Sequence, residues 1–144
     1  MDNLLFIDDN IHLLEALATV IGAQLKDCSI LTARNGAEGI ATIDSMPVAF
    51  ILTDLEMPVM DGYGVINYRN KSCPQVPLFV MSGSLSPEVR EKLGELGVSG
   101  CVEKPFDFDQ LREIAAYMLN VGPIHDVKNY RPLLQPAANS MMSA

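Results

Sequence analysis

Two hydrophobic periods alternate along the chain, and this alternation limits the possible folds more than any other feature. Leu4–Ile7 and Val48–Leu52 are apolar runs of strand length, whereas Leu13, Leu17 and Val20 recur at helical spacing. Strands that alternate with helices predict a parallel sheet with helices on both faces, because parallel neighbours need right-handed crossovers. The five predicted strands are Leu4–Ile7, Ser29–Ala33, Val48–Leu52, Pro77–Met81 and Gly100–Val102.

Capping and breaking residues predict where the helices begin and end. Ser86 is a favourable N-cap, Pro87 suits the first helical position and Gly97 is a typical stop signal, so a fourth helix is predicted there. Gly62–Asn70 is predicted as the third helix. The fifth is predicted from a stripe of apolar residues, Leu111, Ile114, Ala115, Met118 and Leu119. We expect one domain over residues 1–121 and a proline-containing tail or linker over 122–144.

Composition excludes several classes of protein. No apolar stretch reaches the roughly 18–20 residues that span a bilayer, and the start of the chain has no basic region typical of a signal peptide. The three cysteines form no CxxC pair, which argues against a zinc site or disulfide framework. The net charge is −8 without a basic stripe. We therefore expect a cytoplasmic domain that binds neither nucleic acid nor membrane.

Polar side chains follow four of the five predicted strands. Asp8 and Asp9 follow the first strand, Asp54 the third, Ser82 the fourth and Lys104 the fifth. Ligands of doubly wound sheets bind beyond the carboxyl ends of the strands, so these residues form the candidate site. Taken singly, the acids suit a helix N-terminus, the serine a turn and the lysine a solvated surface. Together they indicate a shared polar cleft.

The predicted cleft has the groups that phosphoryl transfer requires. Three neighbouring carboxylates repel one another unless a cation is present, and Mg²⁺ prefers oxygen ligands. An aspartate can act as the nucleophile and form an acyl phosphate, while a metal and a lysine hold the transferred oxygens. The residues therefore favour a site for transfer of a phosphoryl group to a carboxylate.

Four short motifs stand at the ends of predicted strands: Asp8-Asp9, Asp54–Gly62 (DLEMPVMDG), Met81-Ser82-Gly83 and Glu103–Phe106 (EKPF). Together they resemble the receiver domain of bacterial response regulators, similar to the chemotaxis receivers of two-component signalling. The resemblance covers about residues 3 to 121. It implies a flavodoxin-like α/β fold, a doubly wound (βα)5 unit with a five-stranded parallel sheet in the order 2-1-3-4-5.

The resemblance assigns roles to the acidic residues. Asp54 matches the phosphoacceptor, and Asp9 matches the direct metal ligand. Asp8 matches the acid that reaches the metal through water, and the backbone carbonyl of Glu56 matches a further protein ligand. The expected cofactor is Mg²⁺, with Mn²⁺ as a substitute.

The resemblance also assigns the phosphoryl-binding groups. Ser82 matches the hydroxyl that moves onto the phosphoryl group, Lys104 matches its cationic partner, and Gly83 matches a small residue that leaves room. The resemblance also implies a cis peptide between Lys104 and Pro105. A histidine kinase or phosphotransfer protein is the implied donor and an unidentified effector the reader. A weak homodimer is compatible with the family.

Departures from the family pattern keep alternatives open. Cys101 stands where the family usually has an aromatic that swings inward on activation. Glu56 and Ser84 occupy positions that we expect to tune the lifetime of the acyl phosphate.

A receiver catalyses its own modification and is not a turnover enzyme on an external substrate. The alternatives are a phosphorylation-independent scaffold and an Mg-dependent aspartyl-phosphate phosphatase, although the latter needs an aspartate where this chain has Glu56.

Overall fold

The computed structural model describes residues 2–25, 27–105, 107, 109 and 110. They form a five-stranded parallel sheet in the order β2-β1-β3-β4-β5. The strands are β1 (Asp2–Ile7), β2 (Cys28–Ala33), β3 (Phe50–Asp54), β4 (Leu78–Ser82) and β5 (Gly100–Glu103). The helices are α1 (Ile11–Gln24), α2 (Gly36–Ser45), α3 (Gly62–Ser72) and α4 (Pro87–Glu95). The predicted fold class and strand order are confirmed.

The core consists of two apolar layers, one on each face of the sheet. Successive side chains of a strand point to opposite faces, so Leu4 and Phe6 enter one layer while Leu5 and Ile7 enter the other. Leu17 of α1 packs in the first layer. The second layer includes residues of α3 and α4. Strands β3 and β4 are buried along their whole length, as expected of central strands covered on both faces.

Side-chain caps fix where each helix begins. The side chains of Asn10, Asn35, Asp61 and Ser86 accept hydrogen bonds from backbone N–H groups in the first turns of α1, α2, α3 and α4. The predicted start of the fourth helix at Ser86-Pro87 is confirmed. The caps of α1 and α3 end the connections that lead away from the carboxyl ends of β1 and β3.

The strand boundaries differ slightly from the predicted ones. β3 begins at Phe50, two residues later than predicted, and continues through Thr53 and Asp54. Hydropathy missed these two residues because they are polar, yet they belong to a central strand with helices on both faces. The predicted fifth helix lies outside the described residues. Within the part of the chain that the structure describes, no helix is long and apolar enough to cross a membrane.

Candidate functional site

Three carboxylates meet at the carboxyl edge of the sheet. Asp54 is the last residue of β3, and Asp8 and Asp9 directly follow the adjacent strand β1. One oxygen from each lies within 4.8 Å of the other two. Asp8 is 1% exposed and Asp54 is 7% exposed, whereas Asp9 faces solvent. The acids that were predicted to converge are therefore brought together, with two of them largely out of water.

Backbone contacts hold the two buried acids in place. The backbone N–H of Asp8 donates to the carbonyl of Ala33 (3.1 Å), and its side chain accepts from the N–H of Asn10 (2.9 Å). The carboxylate of Asp54 accepts from the N–H of Leu55 (2.9 Å). These bonds restrict the carboxylates before any ligand arrives.

Gly62 lets the start of α3 approach the backbone of Asp54. A Cβ at this position would lie 2.3 Å from the carbonyl oxygen of Asp54, and the N–H of Gly62 donates to the carbonyl of Leu55 (2.9 Å). Only a residue without a side chain fits this contact. Sequence reasoning treated Gly62 as a weak helix former and missed this role; its place in the Asp61-Gly62 helix start was the available signal.

Lys104 is the cation of the cluster. Its Nζ lies 2.8 Å from Oδ2 of Asp8 and 3.6 Å from Oδ2 of Asp54. The backbone N–H of Lys104 donates to the carbonyl of Ser82 (2.8 Å), which joins the end of β5 to the end of β4. The Lys104–Pro105 peptide bond is cis. One ammonium thus faces two buried carboxylates.

Burial and charge shift the pKa values of this cluster. Desolvation is the largest influence on Asp54, and together with the charge of Asp8 it raises the pKa, although Lys104 and the N–H groups of Leu55 and Glu56 act against this. Desolvation alone would lower the pKa of Lys104, but its hydrogen bond to Asp8 and the two nearby carboxylates outweigh that effect and raise it. The cluster therefore has more negative charge than its own lysine neutralises.

Ser82 ends β4 and is 2% exposed. Its hydroxyl donates to the carbonyl of Ser84 and accepts from the N–H of the same residue, both at 3.2 Å. Next to it, a Cβ at Gly83 would meet no heavy atom within 4 Å. The Ser82 hydroxyl is thus engaged with the loop that leads to α4, and the space beside Gly83 is open.

Two further predicted positions, Glu56 and Cys101, differ in their surroundings. The side chain of Glu56 is exposed. Cys101 is fully buried in β5, and Nη1 of Arg90 in α4 donates to its sulfur at 3.1 Å. Nη2 of Arg90 lies 3.8 Å from a carboxylate oxygen of Glu103. Arg90 was not singled out from sequence, because an arginine on an amphipathic helix gives no signal that it reaches across to a neighbouring strand.

The donor set fits a hard divalent cation. Three carboxylate groups supply oxygen atoms within one small volume, and one of these groups, Asp9, faces solvent. Mg²⁺ binds through one or two carboxylates and keeps several waters, so a half-open site suits it. Burial is the largest cause of the raised pKa of Asp54, and a cation here would offset the second cause, the charge of Asp8.

The fold and site define a class: a doubly wound α/β domain with an acidic cluster and a lysine beyond the carboxyl ends of its strands. The sequence profile of the response regulator receiver domain matches residues 4–116. The chain therefore belongs to the receiver domain family of two-component response regulators.

Individual relatives agree with this membership. The chain is 29% identical over 132 residues to the transcriptional regulatory protein CpxR homolog of Haemophilus influenzae. The aligned region covers 90% of this chain and 56% of the relative. It is 29% identical over 109 residues to the transcriptional regulatory protein GlrR of Escherichia coli, covering 76% and 24%. The chain thus spans about half or less of the length of these curated relatives.

A solved receiver domain of a Francisella response regulator has the same fold. It superimposes with a TM-score of 0.76 at 21% identity, covering 84% of this chain and 98% of the solved one.

Proposed function

We propose that this receiver is a phosphorylation switch in which Asp54 accepts a phosphoryl group with the help of Mg²⁺. The observation that carries the proposal is the grouping of three carboxylates, with oxygens within 4.8 Å of one another, beside the ammonium of Lys104. A structural salt bridge would need only one carboxylate for one lysine. The surplus of carboxylates supports a site built for a cation and a nucleophile.

In the proposed reaction a carboxylate oxygen of Asp54 attacks the phosphorus atom of the donor. A P–O bond to Asp54 forms while the bond from phosphorus to the leaving group breaks, and the leaving group departs with that electron pair. With acetyl phosphate the products are the acyl phosphate of Asp54 and acetate. Asp54 is suited to the attack because the N–H of Leu55 orients its carboxylate and burial limits the water around it.

Asp9, Asp54 and the backbone carbonyl of Glu56 would hold the metal directly, and Asp8 would reach it through water. When bound, the ion supplies positive charge to the phosphoryl oxygens. Lys104 would supply a second positive charge from the β5 side, since its Nζ lies 3.6 Å from Asp54. Positioning and charge neutralisation are most of what this transfer needs.

Ser82 connects the phosphoryl group to the rest of the domain in this proposal. Its hydroxyl is bonded to the backbone of Ser84, so a bond to the phosphoryl group competes with that contact. Release of Ser84 would free the loop before α4. Because Cys101 is small, we propose that this loop, and not the β5 position, carries most of the change.

The partners follow from the same proposal. A histidine kinase or a phosphotransfer protein supplies the phosphoryl group, and an effector distinguishes the two states of the receiver. Glu56 and Ser84 flank the route to the acyl phosphate and tune its lifetime. The receiver catalyses its own modification and turns over no external substrate.

The proposal is tested with acetyl phosphate and Mg²⁺. Intact mass should show the addition of one phosphoryl group to the wild-type chain and none to Asp54→Asn, with Asp44→Asn, an exposed acid of α2, as the matched control. Undiminished labelling of Asp54→Asn would contradict the assignment. No labelling of the wild-type chain would favour a scaffold that works without phosphorylation.

A further inference from the structure

Helix α4 buries little apolar surface against the rest of the domain. Of residues 87–95, Leu93 is the one that is fully buried, and Val89 packs against the apolar layer only in part. The exposed positions of the helix include Glu88, Glu91, Lys92 and Glu95. Apolar burial alone therefore fixes the position of α4 weakly, and the polar contacts of its side chains contribute much of the rest.

Arg90 joins α4 to β5 through two contacts, which we call the Arg90 bridge. Its Nη1 donates to the sulfur of Cys101 (3.1 Å), and its Nη2 lies 3.8 Å from a carboxylate oxygen of Glu103. Cys101 and Glu103 are two positions apart, so both side chains lie on the face of the sheet against which α4 packs. The planar guanidinium presents several donors in a fixed fork and can contact both residues at once.

One end of the Arg90 bridge adjoins the candidate site. Glu103 is the register partner of Ser82 and directly precedes Lys104. The backbone N–H of Lys104 also donates to the carbonyl of Ser82 (2.8 Å). Glu103 thus lies beside the two residues whose side chains are proposed to bind the phosphoryl group. A change in the partners of Ser82 and Lys104 therefore acts next to the bridge.

The two ends of α4 are held by different kinds of contact. At the C-terminal end, the side chain of Asn70 in α3 donates to the carbonyl of Leu96 (2.8 Å), and neither group belongs to the candidate site. At the N-terminal end, the preceding loop is held by the hydrogen bonds between Ser82 and Ser84 (3.2 Å), which compete with a bond from Ser82 to the phosphoryl group. When those bonds are released, the Arg90 bridge still holds α4 beside β5.

We propose that the Arg90 bridge stabilises the resting arrangement, in which Lys104 is bound to Asp8 and Ser82 is bound to Ser84, and so opposes the response to phosphorylation. The inference rests on the proposed function, because it names a residue that regulates that switch. A contact made in only one of two states shifts the equilibrium toward that state. Arg90 is thus a positioning residue, which acts through α4 and contacts no reacting atom.

The test measures the affinity for beryllofluoride, which mimics the phosphoryl group, by amide NMR titration at saturating Mg²⁺. Arg90→Met removes the guanidinium and keeps an unbranched side chain. Cys101→Val removes the sulfur and keeps a buried apolar side chain of similar size. Lys92→Met is the matched control, because Nζ of Lys92 lies 4.3 Å from the ring centroid of Tyr63, a contact that joins α4 to α3 instead of β5. Tm is measured for every chain.

Arg90→Met should bind beryllofluoride about fivefold more tightly than the wild-type chain, because a charged hydrogen bond that opposes the change is gone. Without beryllofluoride, its amide shifts over 84–88 should lie between the free and bound positions of the wild-type chain. Cys101→Val should show a smaller gain in affinity. The double variant should bind no more tightly than Arg90→Met, since both substitutions act through one contact. Lys92→Met should bind as the wild-type chain does.

Unchanged or weaker binding by Arg90→Met, with a lowered Tm, would show a merely structural contact and overturn the inference. An equal gain in Lys92→Met would overturn it too, because any loosening of α4 would then suffice. If Arg90→Met does not fold, Cys101→Val is judged by the same two criteria. Failure of the wild-type chain to bind beryllofluoride would instead contradict the proposed function, and the inference with it.

Discussion

Charged side chains are buried at both edges of the sheet, but different kinds of partner balance their charges. At the carboxyl edge, Asp8 and Asp54 share one ammonium, that of Lys104. At the amino edge, Arg69 of α3 is 6% exposed and donates to the carbonyls of Val76 (2.8 Å) and Gly97 (3.1 Å). Among the described residues, no carboxylate lies within ion-pair distance of Arg69.

The amino edge shows what a structural buried charge looks like. Arg69 also donates to the side chain of Asn70, which in turn donates to the carbonyl of Leu96 at the end of α4. These bonds occupy backbone carbonyls that lack helix or strand partners. Fixed dipoles take the place of water, and the network joins α3 to the loops that precede β4 and β5.

The carboxyl edge has the opposite balance. Its two buried carboxylates are held by backbone contacts yet outnumber Lys104, the one cation that the described residues place beside them, and burial together with the charge of Asp8 raises the pKa of Asp54. Such an arrangement stabilises a bound cation or a new partner better than it stabilises the empty fold. Excess charge, and not burial alone, therefore distinguishes the candidate site from a structural network.

The largest effect is expected at the amino edge. Arg69→Met should lower the free energy of unfolding by about 3 kcal/mol, because the carbonyls of Val76 and Gly97 lose their donors. Urea unfolding measures the loss. Arg34→Met is the control, since the Arg34–Glu38 pair is exposed and should contribute less than about 1 kcal/mol. Loss of phosphorylation in folded Arg69→Met would break the distinction between the two edges.

Mg²⁺ should raise the free energy of unfolding of the chain by binding at the carboxyl edge. At a hundredfold excess over its dissociation constant, a ligand of the native state adds about 2.7 kcal/mol to the free energy of unfolding. Asp9→Asn should weaken Mg²⁺ binding more than Asp8→Asn, whereas Lys104→Ala should still bind the ion and phosphorylate poorly. Denaturant curves with Mg²⁺ or EDTA give the affinities. Equal losses in both aspartate variants would contradict the proposed ligand set.

Substitution of two glycines at this edge should have different effects, because Gly62 is in a tight backbone contact and Gly83 faces open space. Gly62→Ala should cost about 2 kcal/mol and slow phosphorylation, because its Cβ would lie 2.3 Å from the carbonyl of Asp54 and force that backbone to shift. Gly83→Ala should leave stability unchanged, because the space around it is open. Thermal unfolding and acetyl phosphate labelling test the pair. A stable, fully active Gly62→Ala would show that the contact is not needed.

The pH dependence of stability should reveal the burial of Asp54 beside the charge of Asp8. With EDTA present, the raised pKa of Asp54 means that the folded state keeps a proton to higher pH than the unfolded state. Stability attributable to Asp54 is therefore lost as pH rises from the ordinary aspartate pKa through the raised one. Asp54→Asn should remove this dependence and be more stable at pH 7 by about 1 kcal/mol. A steeper dependence in the variant would contradict the sign.

Coupling of Asp54 to the residues that follow β5 should be a smaller effect. Amide NMR spectra with and without beryllofluoride, which mimics the phosphoryl group, should differ most around Asp54, Ser82 and the 84–88 segment. Shifts should fade across residues 111–118, because Cys101 is too small to alternate between exposed and buried positions with much change in area. Equally large shifts over 111–118 would show that the small side chain of Cys101 does not weaken the coupling to these residues.

Sequence predicted the fold and the position of the site because both depend on local patterns. Hydrophobic period distinguishes strands from helices, and the carboxyl ends of parallel strands meet at one edge. Arg69 could not be found this way, since its burial depends on two loops that pack around the end of α3. The φ angle of Val59, +71°, was not predicted either, because valine rarely adopts this region.

The chemical location of the phosphoryl group tests most directly whether Asp54 is the phosphoacceptor. Borohydride reduces an acyl phosphate to an alcohol and so converts a phosphorylated aspartate into homoserine. After labelling with acetyl phosphate and Mg²⁺, peptide mass spectrometry should find homoserine at position 54 and aspartate unchanged at positions 8 and 9. Homoserine at position 8 or 9, or a label that stays on the chain through reduction, would contradict the assignment of Asp54 as the phosphoacceptor.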